Sequence, residues 1–143
     1  MTQPEQILWG AIVLGICAVL HVAMLAVSFG VLERAAHLVT RRALPVRVAF
    51  LTGTAFGMIV LSHTIQVWFW AWTLVKMEAI SYLYDAVYFA LVTYTTVGYG
   101  DITLPVEFRV YGAFAGVSGI LCFGVSTAFL VALLSRLMPQ TRD

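Results

Sequence analysis

The chain has 143 residues, of which 62% are hydrophobic and only 10% charged, and its formal net charge is +1. A domain of that size leaves too much surface exposed to hide so many apolar side chains in one core, so lipid is the solvent for most of it. The near-neutral charge, without any run of like charges, gives no support for nucleic-acid binding or for a polybasic membrane-surface module. No enzymatic constellation and no nucleotide-binding loop is present, so neither catalysis nor a cofactor is expected.

Three stretches lack any Asp, Glu, Lys or Arg: Ile7 to Leu32, Val48 to Val75 and Val110 to Ser135. Each exceeds the roughly 20 residues that cross a bilayer as a helix. The first, within residues 1–32, has no Lys or Arg ahead of it and is too long for the apolar region of a secretory signal, so it is expected to be a retained span. Its His21, like His63 of the second span, is an ionisable residue inside the membrane. Without carboxylate neighbours in sequence, both are expected to be neutral hydrogen-bonding residues. Cys17 and Cys122 sit inside separate apolar stretches and are expected to behave as small hydrophobes rather than as a disulfide or metal site.

Residues 33–47 follow as a basic loop carrying Arg34, Arg41, Arg42 and Arg47, with Pro45 marking the start of the next helix. Arg136 and Arg142 lie in the tail, 136–143, whereas Lys76 and Arg109 are the other basic residues. The positive-inside rule therefore puts the loop and the C-terminus in the cytoplasm and the N-terminus outside it. The second span occupies residues 48–75, and Trp68, Trp70 and Trp72 near its far end suit the lipid–water interface. The irregular spacing of the arginines does not suit a voltage sensor.

Residues 76–105 do not read as a full crossing. Tyr82 to Tyr94 suits a short helix with Ser81 as N-cap and Asp85 in the first turn. Its C-terminal end, with unsatisfied carbonyls, would carry partial negative charge toward whatever it faces. Then comes Thr95-Thr96-Val97-Gly98-Tyr99-Gly100-Asp101. A dehydrated cation inside a bilayer needs closely placed oxygens to replace its water. Gly98 and Gly100 can adopt the positive φ that turns successive carbonyls toward one axis, and Thr96 can add a hydroxyl. Val97 and Tyr99 alternate with the glycines, so their side chains would point away into surrounding protein. Lys76, Glu78, Asp85 and Glu107 are expected to be solvated surface.

This segment resembles the signature of the potassium channel family, bacterial pore-loop channels in particular. The resemblance runs roughly from Val46 to Leu134. It implies an all-α membrane protein of three transmembrane helices plus a re-entrant pore helix and selectivity-filter loop, assembled as a fourfold tetrameric channel with three further copies of the same chain. It implies K+ sites at Thr96, Val97, Gly98 and Tyr99, with Gly100 completing the filter and Asp101 capping the outer mouth. Thr95, Tyr88, Phe89 and Val92 would support the filter; some relatives have two tryptophans where this chain has Tyr88 and Phe89, and a Glu where it has Val92.

In the last span, residues 106–135, Gly119-Ile120-Leu121-Cys122-Phe123-Gly124 is similar to the inner helix of those channels. Ile120, Phe123 and Thr127 would then face a cavity, Gly119 would be a hinge and Val131 would approach its symmetry mates. Gly112, Gly116 and Gly119 equally form a small-residue stripe suited to close helix packing. The implied function is passive K+ conduction, in a bacterial inner membrane; a nonselective cation channel and a subunit of a potassium uptake transporter are the alternatives. The first span matches no gating module and is expected to be peripheral, and the short tail leaves no expected ligand-binding domain.

Overall fold

The computed structural model describes residues 1–138, and among them every regular element is helical. Helix α1 spans Gln3–Leu38, α2 Leu44–Lys76, α3 Leu83–Tyr94 and α4 Arg109–Leu137, with a 3-10 turn at Val106–Phe108 leading into α4. α1, α2 and the stretch Val106–Leu137 are long and apolar enough to cross a membrane. The chain is thus an all-α integral membrane protein with three spans and one short helix between the second and third.

The helices outrun the charge-free stretches. α1 continues through Glu33 and Arg34 to Leu38, and α2 begins at Leu44, so the loop expected over 33–47 contracts to residues 39–43. Charge ends a lipid-facing stretch but not a hydrogen-bond ladder, and Glu, Arg and Ala all propagate helix well. Likewise α4 runs on through Arg136 to Leu137, past the expected end at 135. Arg142 and the rest of the tail from 139 lie outside the described residues. Pro45 sits in the first turn of α2, where its missing N–H costs nothing.

Helix α3 starts one residue later than expected. The Tyr82 carbonyl accepts the Ala86 N–H at 3.0 Å, which makes Tyr82 rather than Ser81 the capping residue, without a side-chain cap bond. Asp85 lies in the first turn, as expected from the helix dipole.

α1 packs against both α2 and α4 and buries Gln6, Gly10, Val13, Cys17, His21, Leu25, Ser28 and Leu32 on one face. At Gly10 the ring of Phe114 comes so near that an added Cβ would sit 2.5 Å from it. The Gln6 side-chain oxygen accepts the Val110 and Tyr111 N–H groups at 3.0 and 3.4 Å, capping two donors in the first turn of α4.

Two apolar clusters hold the bundle. One surrounds Trp70, Leu74, Ala86, Ala90, Tyr94 and Tyr111; the other joins Leu32, Ala35, Leu51 and Ala55 to Phe129 and Leu133. Trp70 is fully buried against Tyr111, with ring centroids 5.4 Å apart, so only Trp68 and Trp72 of the three tryptophans remain at the surface. Helical register decides this: Trp70 falls on the face of α2 shared with Gln66, Val67 and Leu74. Cys17 and Cys122 are both buried and unbridged.

Candidate functional site

Between the end of α3 and the 3-10 turn, the backbone of residues 95–101 leaves helical geometry. Thr96, Gly98 and Gly100 have φ of 62°, 49° and 78°, and among the described residues the only other positive values beyond these are at Glu78. The sign of φ therefore alternates residue by residue across Thr96-Val97-Gly98-Tyr99-Gly100. Glycine reaches this region freely, as expected at two of the three positions. Thr96 is the position that sequence reasoning missed, because a β-branched residue normally avoids positive φ, at a cost on the order of 1–2 kcal/mol.

The same loop is tied to the end of α3. Thr95 N–H and Thr95 Oγ1 both donate to the Leu91 carbonyl, at 3.0 and 2.8 Å; Thr96 N–H donates to Thr93 at 2.9 Å and Gly98 N–H to Val92 at 3.0 Å. Of the carbonyls expected to be unsatisfied at this helix end, those of Leu91, Val92 and Thr93 are thus taken up by the turn into the loop. Val92, itself buried, contributes through its backbone.

Tyr88 and Phe89 diverge. The Tyr88 hydroxyl donates to Asp101 Oδ2 at 2.7 Å, across the loop. That bond holds the Asp101 carboxyl below its ordinary value. Phe89 turns instead toward α4, near the space in front of Gly112, and lines a cleft of about 450 Å³ with Val92, Gly98, Gly100, Leu104 and Gly112.

The glycine stripe of α4 faces α3. A Cβ on Gly116 would lie 3.2 Å from the Thr93 carbonyl oxygen, and one on Gly119 would run into the Tyr94 carbonyl. Gly119 is therefore a seat for the last residue of α3, and close approach alone accounts for a glycine there. Ile120, Phe123, Thr127 and Val131 continue beside the glycine stripe toward the C-terminal half of α4 and are exposed; Ile120 and Val131 are 60% and 61% exposed. Phe123 is 40% exposed, its ring packed 4.5 Å from His63 and 5.7 Å from Tyr94. Val97 and Tyr99 are likewise open to the outside of a single chain, at 50% and 73%.

Sequence reasoning also missed the polar group behind Tyr94. His63 Nδ1 lies 2.9 Å from the Tyr94 hydroxyl and His63 Nε2 3.1 Å from Ser126 Oγ, while His21 contacts Ser62, Gln66 and Ser126. Both histidines are hydrogen-bonded, as expected, and they share Ser126 as a partner. The available signal was three pairs at four-residue spacing inside apolar spans: Cys17 with His21, Ser62 with Gln66, and Cys122 with Ser126.

Neither a comparison with curated proteins nor one with solved structures returns a match. A family model described as "Ion channel" matches residues 54–136, which take in most of α2, all of α3, the loop after it and α4 up to its last residues. Because the match covers more than half of the chain, with α1 lying outside it, the protein belongs to the ion channel family.

Proposed function

We propose that the chain is one subunit of a homotetrameric, potassium-selective channel that lets K+ pass down its electrochemical gradient, with residues 95–101 as the selectivity filter. The observation that carries this reading is the alternation of φ sign at Thr96, Gly98 and Gly100. Alternating left- and right-handed residues turn consecutive carbonyls to one side of the chain, whereas a strand would send them to opposite sides.

A K+ ion entering such a row exchanges water oxygens for the carbonyl oxygens of Thr96, Val97, Gly98 and Tyr99 and the Thr96 hydroxyl. Fixed charge is not required, so an ion can be held and still leave. Gly100 lets the chain turn out at the top, and Asp101, steadied by Tyr88, places a carboxylate at the outer mouth.

One loop supplies one wall, and closing a ring around an axis takes four. The exposure of Val97, Tyr99 and the stripe Ile120, Phe123, Thr127 and Val131 in the single chain fits surfaces that neighbouring subunits and a central cavity would meet. Val131 would then narrow the far end. The arginines at one end of the bundle favour a cytoplasmic placement of residues 39–43 and of the C-terminus and an extracytoplasmic N-terminus, and the resemblance to bacterial pore-loop channels implies residence in a bacterial inner membrane.

The test is purified protein in a planar bilayer with K+ on one side and Na+ on the other. A reversal potential strongly displaced toward K+ equilibrium is expected. A value near zero would assign a nonselective cation channel, and saturable flux without single-channel steps a transporter subunit.

A further inference from the structure

Seven polar side chains converge behind Tyr94 from four helices: His21, Ser62, His63, Gln66, Tyr94, Cys122 and Ser126. Gln66 and His21 are 0% and 1% exposed, and Ser62, Tyr94, Cys122 and Ser126 are also buried. Unsatisfied, such groups would be costly in this setting, so their proton assignment has to close.

It closes in one direction. Gln66 Nε2 lies 3.3 Å from the Ser62 carbonyl, which can only accept; the amide nitrogen therefore faces that side and Oε1 faces Tyr94 and Cys122. Oε1 can only accept, so the Tyr94 hydroxyl donates to it at 3.1 Å and the Cys122 thiol at 3.2 Å. The Tyr94 oxygen is left to accept, which makes His63 Nδ1 the protonated nitrogen at 2.9 Å. His63 Nε2 then accepts from Ser126 Oγ at 3.1 Å, and the Ser126 oxygen accepts from His21 Nε2 at 3.0 Å. His21 Nδ1 is thereby an acceptor, receiving Gln66 Nε2 at 3.2 Å and Ser62 Oγ at 2.9 Å.

The result is a closed ring, Gln66 to His21 to Ser126 to His63 to Tyr94 and back to Gln66, with every donor pointing the same way round and each imidazole neutral in one tautomer. Such a cycle forms only when α1, α2, α3 and α4 are in register, because hydrogen bonds fail within a few tenths of an ångström and a few tens of degrees. Tyr94 is also the last residue of α3, and its carbonyl is seated on Gly119. It is gripped at both ends, two residues before the left-handed Thr96.

We infer that Gln66, His21, Ser126, His63 and Tyr94 act together as a positioning ring for the pore loop, and that α1 is a working part of the pore through His21. This rests on reading residues 95–101 as the filter. Displacing Tyr94 would shift the Thr93 and Val92 carbonyls that hold the Thr96 and Gly98 N–H groups.

The experiment uses the full chain reconstituted in K+, with hydrogen exchange read at the Thr96 and Gly98 amides and the K+/Na+ reversal potential measured on the same preparations. Tyr94→Phe removes only a hydroxyl, His21→Leu withdraws α1 from the ring while leaving its other packing in place, and His63→Gln keeps one donor and one acceptor. Tyr94→Phe and His21→Leu are expected to speed exchange at Thr96 and Gly98 about tenfold, the order commanded by a lost buried hydrogen bond. They should also weaken the K+ preference, while amides of α1 beyond Leu32 stay unchanged and His63→Gln stays near wild type. Unchanged exchange at Thr96 and Gly98 in both variants overturns the inference, as does a uniform acceleration through all helices, which marks general loosening. A wild type without K+ preference whose loop exchange still follows the ring would remove the potassium reading and leave the ring standing.

Discussion

Both ends of the bundle are packed through apolar clusters, but only one adds hydrogen bonds between helices. Around Tyr94, contacts between helices are directional: the ring of polar groups, the Tyr111 hydroxyl donating to Thr73 Oγ1 at 2.7 Å, and the Gln6 cap on α4. At the arginine-bearing end, Leu32, Ala35, Leu51 and Ala55 meet Phe129 and Leu133 through apolar surface. The side-chain hydrogen bonds of Thr40, Thr54 and Ser135 there stay within their own helices or the turn just after one. Apolar packing tolerates sliding that a hydrogen bond does not. The loop end is thereby the more closely specified of the two, as the proposed selectivity filter would require.

The sharpest way to break this contrast is at the helix seats. Gly119→Ala drives a Cβ into the Tyr94 backbone, which has no rotamer to yield, and should destabilise by about 3 kcal/mol in a detergent-unfolding titration. Leu51→Ala, a cavity at the other end, should cost about 2 kcal/mol yet leave exchange at Thr96 and Gly98 untouched. Loop exchange that rises in Leu51→Ala would show that the ends are not independent.

Smaller effects sharpen it. Gln6→Ala uncaps the start of α4 and should cost about 1 kcal/mol, with faster exchange confined to the Val110 and Tyr111 amides. Tyr88→Phe should act through pH. The Asp101 carboxyl sits below its ordinary value of 3.8 because Tyr88 donates to it. That contribution is present above the ordinary value and is lost as pH falls through the depressed one. Without the phenol, acid titration of conductance from the Asp101 side should move toward higher pH, with neutral-pH conductance little changed. Last, Gly30→Ala meets no atom within 4 Å and should stay within about 0.5 kcal/mol of wild type or be slightly stabilising.

The spans were legible because a charge-free stretch of that length has one economical home, and the loop was legible because two glycines at alternate positions flag an unusual backbone. Helix ends were not, since Glu33, Arg34 and Arg136 leave lipid without leaving the helix. The fate of Trp70 and the role of α1 depended on rotational register between helices, which no single stretch encodes. His21 reaches Ser126 across 105 residues and His63 reaches Tyr94 across 31. Each histidine looked solitary because its partners lie on other helices. Only the four-residue spacing of small polar residues hinted that three apolar spans shared a polar seam.

The Gln6 cap has a consequence for biosynthesis. Its two donors lie 104 and 105 residues downstream, in the third of the described spans. Until that span is made, the Gln6 side-chain oxygen lacks these two donors, and the first turn of α4 lacks its cap. A change that displaces the first turn of α1 would therefore register more than a hundred residues away, in how α4 begins.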